Sequence, residues 1–415
     1  MHIAWIGKKS PFCGNVTYSR EVTNGLLDRG LQVSFLHFAQ EEEVSDASNW
    51  PSCLEVSLPF LYKSQVYTLP TLKSRKVLMR SLEQLKPDLV HASLTLSPLD
   101  FLLPEICEEL NIPLIATFHT PFDGKQRNIK SGTQLLTYQL YAPFLANYDR
   151  VIIFSKVQRD LLERLGVAAS NIAVIPNGVD ERKYSPGPSN IKSQLNAKRL
   201  FVYQGRIATE KNVEALLRAW KQSEMGTESK LLIVGDGPLK PSLEAFYDEE
   251  CGIIWWGAEA DEQRRIEILR GADVFILPSL VEGLSLSLLE AMSCGVACVA
   301  TDAGADGEVL EGNPLEGDAG IILRTNGVAG QLRTLLPVLR GHQEFTKQLG
   351  QKARARIMEQ YTLSRNIDQL VKLYEDLLQE RKIHNIQLAG LRYKRRAKES
   401  ASSWFMVDDS GRTCE

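Results

Sequence analysis

Two carboxylates with seven residues between them, Glu282 and Glu290, stand in the run Glu282-Gly283-Leu284-Ser285-Leu286-Ser287-Leu288-Leu289-Glu290-Ala291-Met292. The first falls in a glycine-containing loop after an apolar strand, and the second about two turns further on in the helix that follows. A loop carboxylate there can accept hydrogen bonds from sugar hydroxyls, and the helical one from ribose hydroxyls. The N–H groups around Leu284 and Ser285, at the helix start, suit a diphosphate. Upstream, Gly205-Arg206-Ile207-Ala208-Thr209-Glu210-Lys211-Asn212 begins where another strand ends. Arg206 and Lys211 put a guanidinium and an ammonium beside a helix N-terminus, which again favours a diphosphate. Gly235-Asp236-Gly237-Pro238 closes a third strand, where its glycines permit a tight turn and close backbone approach to a planar ligand. Each piece alone has an ordinary reading as solvated loop charges or a strand-to-helix turn. Three of them at successive strand ends do not.

Such residues need sheets to hold them. Short apolar strands alternate with amphipathic helices along most of the chain, the pattern of parallel sheets covered on both faces. The first half predicts strands near 2–7, 32–38, 88–93, 114–119, 150–155 and 172–176, with a helix over 15–29 stopped by Gly30. The second predicts strands at 200–205, 230–235, 253–257, 274–279, 296–301 and 320–323. The expected fold is α/β: two Rossmann-like doubly wound domains, 1–180 and 199–360, facing a central cleft and joined by a linker over 181–198 marked by Pro186, Gly187 and Pro188. A C-terminal helix over 361–380 is expected to pack back on the first domain, followed by a frayed, basic, polar tail over 381–415. Ligands of such sheets bind at the carboxyl ends of the strands.

Composition narrows the class. With 415 residues, 44% hydrophobic and 24% charged, the chain is an ordinary globular one of two or three domains. A net charge of −3 gives no global attraction to nucleic acid or membrane, so any such attraction must be local. The seven cysteines are scattered without CxxC spacing, which fits a reducing compartment and, with no His or Cys cluster beside Cys294 and Cys298, no metal site. The N-terminus runs straight into a strand pattern without the shape of a signal peptide, and no apolar run approaches the ~20 residues of a membrane span. The expectation is a cytoplasmic protein that does not cross a membrane.

At this point the chain resembles the family 4 glycosyltransferases of the two-domain GT-B fold. The resemblance rests on the three motifs above and on Pro87-Asp88-Leu89-Val90-His91, Phe118-His119-Thr120 and Ile175-Pro176-Asn177-Gly178-Val179-Asp180 in the first half, and it covers roughly residues 1–375. It implies an N-terminal acceptor-binding domain and a C-terminal nucleotide-sugar-binding domain, with transfer that retains anomeric configuration and needs no metal or cofactor. By position, Arg206 and Lys211 would hold the diphosphate, Glu282 the donor sugar and Glu290 the ribose. His119 would stand next to the donor sugar. In the loop Phe12-Cys13-Gly14-Asn15, Cys13 replaces the first of the family's two glycines, while Gly14 keeps the flexible position before a helix. No Asp-x-Asp closes a strand, and none of these motifs supplies a carboxylate nucleophile for the opposite face of the sugar. The family's route is a same-face displacement in which the departing phosphate helps deprotonate the acceptor.

Two stretches of the first domain break the charge balance. Between Tyr62 and Pro87 stand Lys63, Lys73, Arg75, Lys76, Arg80 and Lys86 against only Glu83; Leu72, Leu78, Met79, Leu82 and Leu85 share one helical face, and Lys73, Lys76 and Arg80 another. Between Gly124 and Tyr148, Lys125, Arg127 and Lys130 precede an apolar, aromatic run. Such surfaces suit an anionic membrane interface, and each is read equally well as a helix packed on a sheet. No nucleic-acid module surrounds them. The opening 7–18 and the run 119–123 are similar to the cyanobacterial digalactosyldiacylglycerol synthases within the family. That likeness implies UDP-galactose as donor, monogalactosyldiacylglycerol as acceptor, and peripheral association with the cytoplasmic face of a membrane. A soluble or polysaccharide acceptor, or a non-catalytic sugar-nucleotide-binding module, are the alternatives; the oligomeric state stays open.

Overall fold

The structure, a computed structural model, describes residues 1–10, 13–39, 50, 52–64, 67–122, 129–312 and 317–403. The first half winds β1 (His2–Gly7), β2 (Gln32–Phe38), β3 (Leu54–Leu58), β4 (Phe60–Lys63), β5 (Thr68–Pro70), β6 (Leu89–Ser93), β7 (Leu114–Thr117), β8 (Arg150–Ile153) and β9 (Ile172–Val174). Seven of these form one parallel sheet in the order β3-β2-β1-β6-β7-β8-β9, while β4 and β5 pair as a separate antiparallel hairpin. The second half repeats the plan with β10 (Arg199–Gln204), β11 (Ser229–Val234), β12 (Ile253–Gly257), β13 (Val274–Leu277), β14 (Ala297–Thr301) and β15 (Ile321–Leu323), ordered β12-β11-β10-β13-β14-β15. Central strands such as Val274–Leu277 and Ala297–Thr301 are buried along their whole length, which is why they read as apolar runs without alternation. In each sheet the winding reverses beside the first strand, between β1 and β6 and again between β10 and β13. Those two switch points open crevices at the carboxyl ends of the strands.

The helix Gly14–Asp28 lies within one residue of expectation and ends as Gly30 predicts: Gly30 has φ 76° and donates to the Leu27 carbonyl at 2.8 Å, and Leu31 to that of Leu26 at 3.2 Å. Three strands were not predicted. Only Leu58 of edge strand β3 is buried, and the β4–β5 hairpin is largely exposed, so neither carries a core pattern. Leu72 is a correction. It precedes the helix Ser74–Leu85 rather than sharing its inner face, and it is fully exposed while Leu78 and Leu82 point inward.

The 181–198 segment is pinned rather than loose. Ser189 Oγ donates to Glu267 O at 2.7 Å, Ser293 Oγ to Tyr184 O at 2.6 Å, and Ile191 is fully buried. Near Val179 the chain meets its own later return: Val179 donates to Tyr361 O at 2.9 Å, Leu363 to Val179 O at 2.8 Å, and Asn366 Nδ2 to Pro176 O at 2.6 Å. Gly178 allows this crossing, because a Cβ there would sit 2.7 Å from the Leu363 Cα. Residues 1–369 form one compact body and 370–415 a second. The helix Leu363–Ser403 extends past the Glu380 end expected for it. The extension is physical: after Glu380 only Gly390 interrupts a stretch rich in Leu, Gln, Lys, Arg and Ala, all good helix formers. Among the described residues, no helix is long and apolar enough to cross a membrane.

Candidate functional site

The strand ends around β10 and β13 bring the sequence-predicted groups of the second half together, in pairs rather than as one open set. Lys211 Nζ donates to Glu282 Oε1 at 2.6 Å, with side-chain exposures of 21% and 8%. A cation and an anion taken this far from water depend on each other. Arg206 turns to Glu210 in a close ion pair and is half-exposed. The Gly235–Gly237 turn meets the Gly205–Ile207 loop instead of open space. A Cβ on Gly235 would lie 1.9 Å from Gly205 O, and one on Gly237 2.3 Å from Ile207 O. These glycines allow two backbones to touch, and the turn packs loop-on-loop against Gly205–Ile207.

The start of the helix Leu286–Ser293 is also partly occupied. Ser285 Oγ caps it by accepting from Leu288 N, and Ser285 N donates to Asp306 Oδ1 at 2.9 Å. The Ser285 N–H expected to face a diphosphate is thus bonded within the protein. Leu284 is buried, and its carbonyl accepts from Asn177 Nδ2 of the first half at 3.2 Å. Asp306 is 1% exposed, and its Oδ2 has no hydrogen-bond partner. Burial, and then the neighbouring Glu282, push its carboxyl well above the usual range. Gly304 makes the packing possible: with φ 60°, a Cβ there would come within 2.0 Å of Glu282 O.

Glu290 accepts from Gln204 Nε2 at 3.0 Å. The residue is half-buried but its carboxyl is enclosed, and burial raises its pKa to about 7 against the opposing pull of Arg265 and of hydrogen bonds from Tyr184 and Gln204. It lines a pocket partly open to solvent, with Tyr18, Glu21, Asp180, Tyr184 and Glu262. The pocket lies between the first helix, the 178–184 segment and the second half; it does not reach His119, Arg206, Lys211 or Glu282.

In the first half, His119 follows β7 and lies edge-on to Tyr18, with ring centroids 4.8 Å apart. Ser93 Oγ, at the end of β6, stands 2.9 Å from its Nε2. Burial, reinforced by the positive charge of Lys8, lowers the imidazole pKa to about 3, so the ring is neutral. The Glu282 loop comes close: a Cβ on Gly283 would lie 3.5 Å from His119 O. The Glu282–Gly283 loop therefore packs close to the backbone of His119. Gly14 opens the helix Gly14–Asp28, and a Cβ there would meet nothing within 4 Å, so that position has no steric need for glycine.

Lys73, Lys76 and Arg80 are all exposed, away from these groups, while Arg75 pairs with Glu105 at 2.7 Å. Lys125 and Arg127 lie outside the described residues. Among the described residues, no group of three or more His, Cys, Asp or Glu side chains is placed to hold a metal. Sequence reasoning missed Asn15, Ser93, Gln204 and Asp306, whose parts depend on partners 21 to 86 positions away. No local signal marks them.

Two family models match the chain: Glycosyltransferase Family 4 over residues 13–183 and Glycosyl transferases group 1 over 198–337. The Escherichia coli UDP-Gal:alpha-D-GlcNAc-diphosphoundecaprenol alpha-1,3-galactosyltransferase is 26% identical over 325 residues, 74% of this chain and 80% of that protein. Sulfoquinovosyl transferase SQD2 of Arabidopsis thaliana is 26% identical over 322 residues, 74% of this chain but only 59% of the plant protein. The alpha-monoglucosyldiacylglycerol synthase of Streptococcus pneumoniae is 26% identical over 304 residues, 69% of this chain and 67% of its own. Among solved structures, Anabaena HepE in complex with UDP-glucose superposes with a TM-score of 0.74 at 16% identity, covering 91% of this chain and all of that one. Sucrose-phosphate synthase of Thermosynechococcus elongatus reaches 0.72 at 20% identity, covering 91% of this chain and 99% of that one. Matched in both halves and built on the GT-B fold, the chain is a glycosyltransferase and belongs to family 4.

Proposed function

We propose that the protein transfers a hexose from a nucleotide sugar to a glycolipid at a membrane surface. In its most specific form the reaction moves galactose from UDP-galactose to monogalactosyldiacylglycerol, giving digalactosyldiacylglycerol. The observation that carries the lipid acceptor is a surface of the first half. Leu61, Tyr62, Tyr67 and Leu69 of the β4–β5 hairpin region are 74%, 50%, 45% and 41% exposed, and Leu72 is fully exposed beside Lys73, Lys76 and Arg80. β5 packs on the turn Pro98–Phe101, whose Phe101 ring lies 4.4 Å from that of Phe144. Phe144 is the last of an exposed stripe with Leu136 and Leu140. Apolar side chains bordered by cations suit the interface of an anionic bilayer. The name of the streptococcal relative, which concerns monoglucosyldiacylglycerol synthesis, supports the glycolipid reading. In this reading the protein is peripheral, on the cytoplasmic face.

On the donor side, Arg206 and Lys211 neutralise the diphosphate, Glu282 accepts from sugar hydroxyls, and Glu290 accepts from the ribose. The bond from the anomeric carbon to the phosphate oxygen breaks while the acceptor oxygen bonds to the same face. The acceptor's proton passes to the departing phosphate, and the nucleoside diphosphate leaves. Preorganised cations stabilise that leaving group without a metal. The test is incubation of the protein with a panel of nucleotide sugars on vesicles of defined lipids, with mass detection of products. A hexose added to a glycolipid, with anomeric configuration kept and activity surviving EDTA, is the expected result. Transfer only to soluble acceptors would overturn the lipid reading, and loss of activity restored by Mg²⁺ or Mn²⁺ the metal-free one.

The Glu290 role has its own signature. Glu290→Ala weakens nucleoside diphosphate binding by about 1–3 kcal/mol, as a ribose hydroxyl loses its acceptor. The wild-type carboxyl keeps its proton up to a pH of about 7. Ionised carboxylate is the better acceptor, so binding strengthens as pH rises through that value and releases a proton. Calorimetry in two buffers of different ionisation enthalpy reads that proton, and Glu290→Gln abolishes it. A Glu290→Ala protein with wild-type nucleotide affinity removes the residue from the site.

A further inference from the structure

The first-half switch point holds a chain of three side chains from three elements: Asn15 in the first turn of the helix after β1, Ser93 ending β6, and His119 following β7. Asn15 Nδ2 donates to Leu94 O at 3.1 Å, which fixes the amide orientation and turns Oδ1 toward Ser93. The Ser93 Oγ to Asn15 Oδ1 separation is 2.6 Å. An amide oxygen carries no proton, so Ser93 must donate across this contact. A hydroxyl has only one proton to give. At 2.9 Å from His119 Nε2, Ser93 Oγ is therefore left as acceptor, and Nε2 must carry the hydrogen. Ser19 Oγ, 3.4 Å from both Ser93 Oγ and Asn15 Oδ1, supports the pair from the next helical turn without changing its direction.

We infer that Asn15 and Ser93 are positioning residues that lock His119 in its neutral Nε2–H tautomer, leaving Nδ1 as a hydrogen-bond acceptor for a substrate hydroxyl. Nδ1 has no protein partner among the described residues. The ring plane is set by the edge of Tyr18 and by Phe154, whose ring centroid is 5.3 Å from that of His119. A neutral imidazole with a fixed lone pair can accept from a sugar hydroxyl; an imidazolium, or the other tautomer, would present an N–H donor at Nδ1 instead. The inference rests on the reading of this cleft as a sugar-transfer site. It names which atom of His119 faces the substrate and which two residues decide that.

The test is ¹⁵N NMR of histidine-labelled protein, with the His119 ring assigned through His119→Gln. A pyrrole-type Nε2 and a pyridine-type Nδ1 are expected in the wild type. In Ser93→Ala the two nitrogen shifts should move toward each other as the tautomers mix, while thermal unfolding checks that the protein stays folded. Turnover of the donor falls roughly 10- to 100-fold, the range for losing the group that orients a functional side chain. Binding of free nucleoside diphosphate, which lacks the sugar, stays unchanged. Ser93→Thr, which keeps the hydroxyl, restores the wild-type ring spectrum. A protonated Nδ1 in the wild type overturns the inference, and so does a Ser93→Ala protein with unmoved ring shifts. The spectra decide this whichever donor and acceptor are used, so failure of the lipid reading does not masquerade as failure of the relay.

Discussion

Lys211→Ala lowers turnover by about 10²–10³-fold, the range for removing one preorganised charge that meets charge developing in the transition state. The structure adds a second expected effect. Lys211 Nζ is bonded to Glu282, whose side chain is only 8% exposed, so the substitution leaves an anion behind with its close partner gone. Breaking a buried pair from one side costs about 3–5 kcal/mol, and the 21% exposure of the lysine places this case toward or below the low end. The variant therefore unfolds at lower temperature as well as working more slowly. The two effects come apart in a double variant. Adding Glu282→Gln removes the stranded charge and restores much of the melting temperature, while turnover stays low because no ammonium returns. Turnover and thermal unfolding measured on the wild type, Lys211→Ala, Glu282→Gln and the double variant give the cycle. A folded Lys211→Ala protein with wild-type turnover would take the residue out of the mechanism.

The same pair marks how far sequence alone reaches. Both residues stand out by type and position, yet nothing local says that they bond to each other across 71 positions. The strands that carry them were legible because parallel strands covered on both faces read as apolar runs. That argument fails for β3, with one buried residue, and for the β4–β5 hairpin, where Leu61, Tyr62 and Leu69 are exposed. Leu72 failed for a related reason: periodicity puts it on the helical face with Leu78 and Leu82, but the helix starts only at Ser74. Glycine was legible as a residue that permits close approach. Whether a ligand or the Gly205–Ile207 backbone approaches Gly235 and Gly237 depends on the fold. Ser285 follows the same rule: its side chain caps the helix, as its residue type suggests, and its N–H goes to Asp306, which stands 21 positions on after another strand.

Reversing Lys73, Lys76 and Arg80 to glutamate releases the protein from anionic vesicles. Each basic side chain near such a surface contributes about 1 kcal/mol, so losing three costs roughly two orders of magnitude in binding, and the new negative charges add repulsion. All three are exposed, and surface changes of this kind usually move stability by only about 0.5 kcal/mol, so folding should survive. Arg75 is left alone because its charge is already paired with Glu105. Attraction of this origin weakens with salt, fading over a Debye length of ~10 Å at 0.1 M. The apolar part behaves differently. Leu61→Ser with Leu72→Ser, at side chains 74% and fully exposed, weakens binding to neutral and anionic vesicles alike and changes the salt dependence little. Nucleotide affinity stays at the wild-type value in both variants, since Arg206, Lys211, Glu282 and Glu290 all belong to the other half. Vesicle co-sedimentation across a salt series, with nucleotide binding measured on the same preparations, reads each contribution. If the charge-reversed protein stays folded and sediments like the wild type, those cations are only the solvated face of a helix. If the leucine variant does so as well, the acceptor is a soluble sugar.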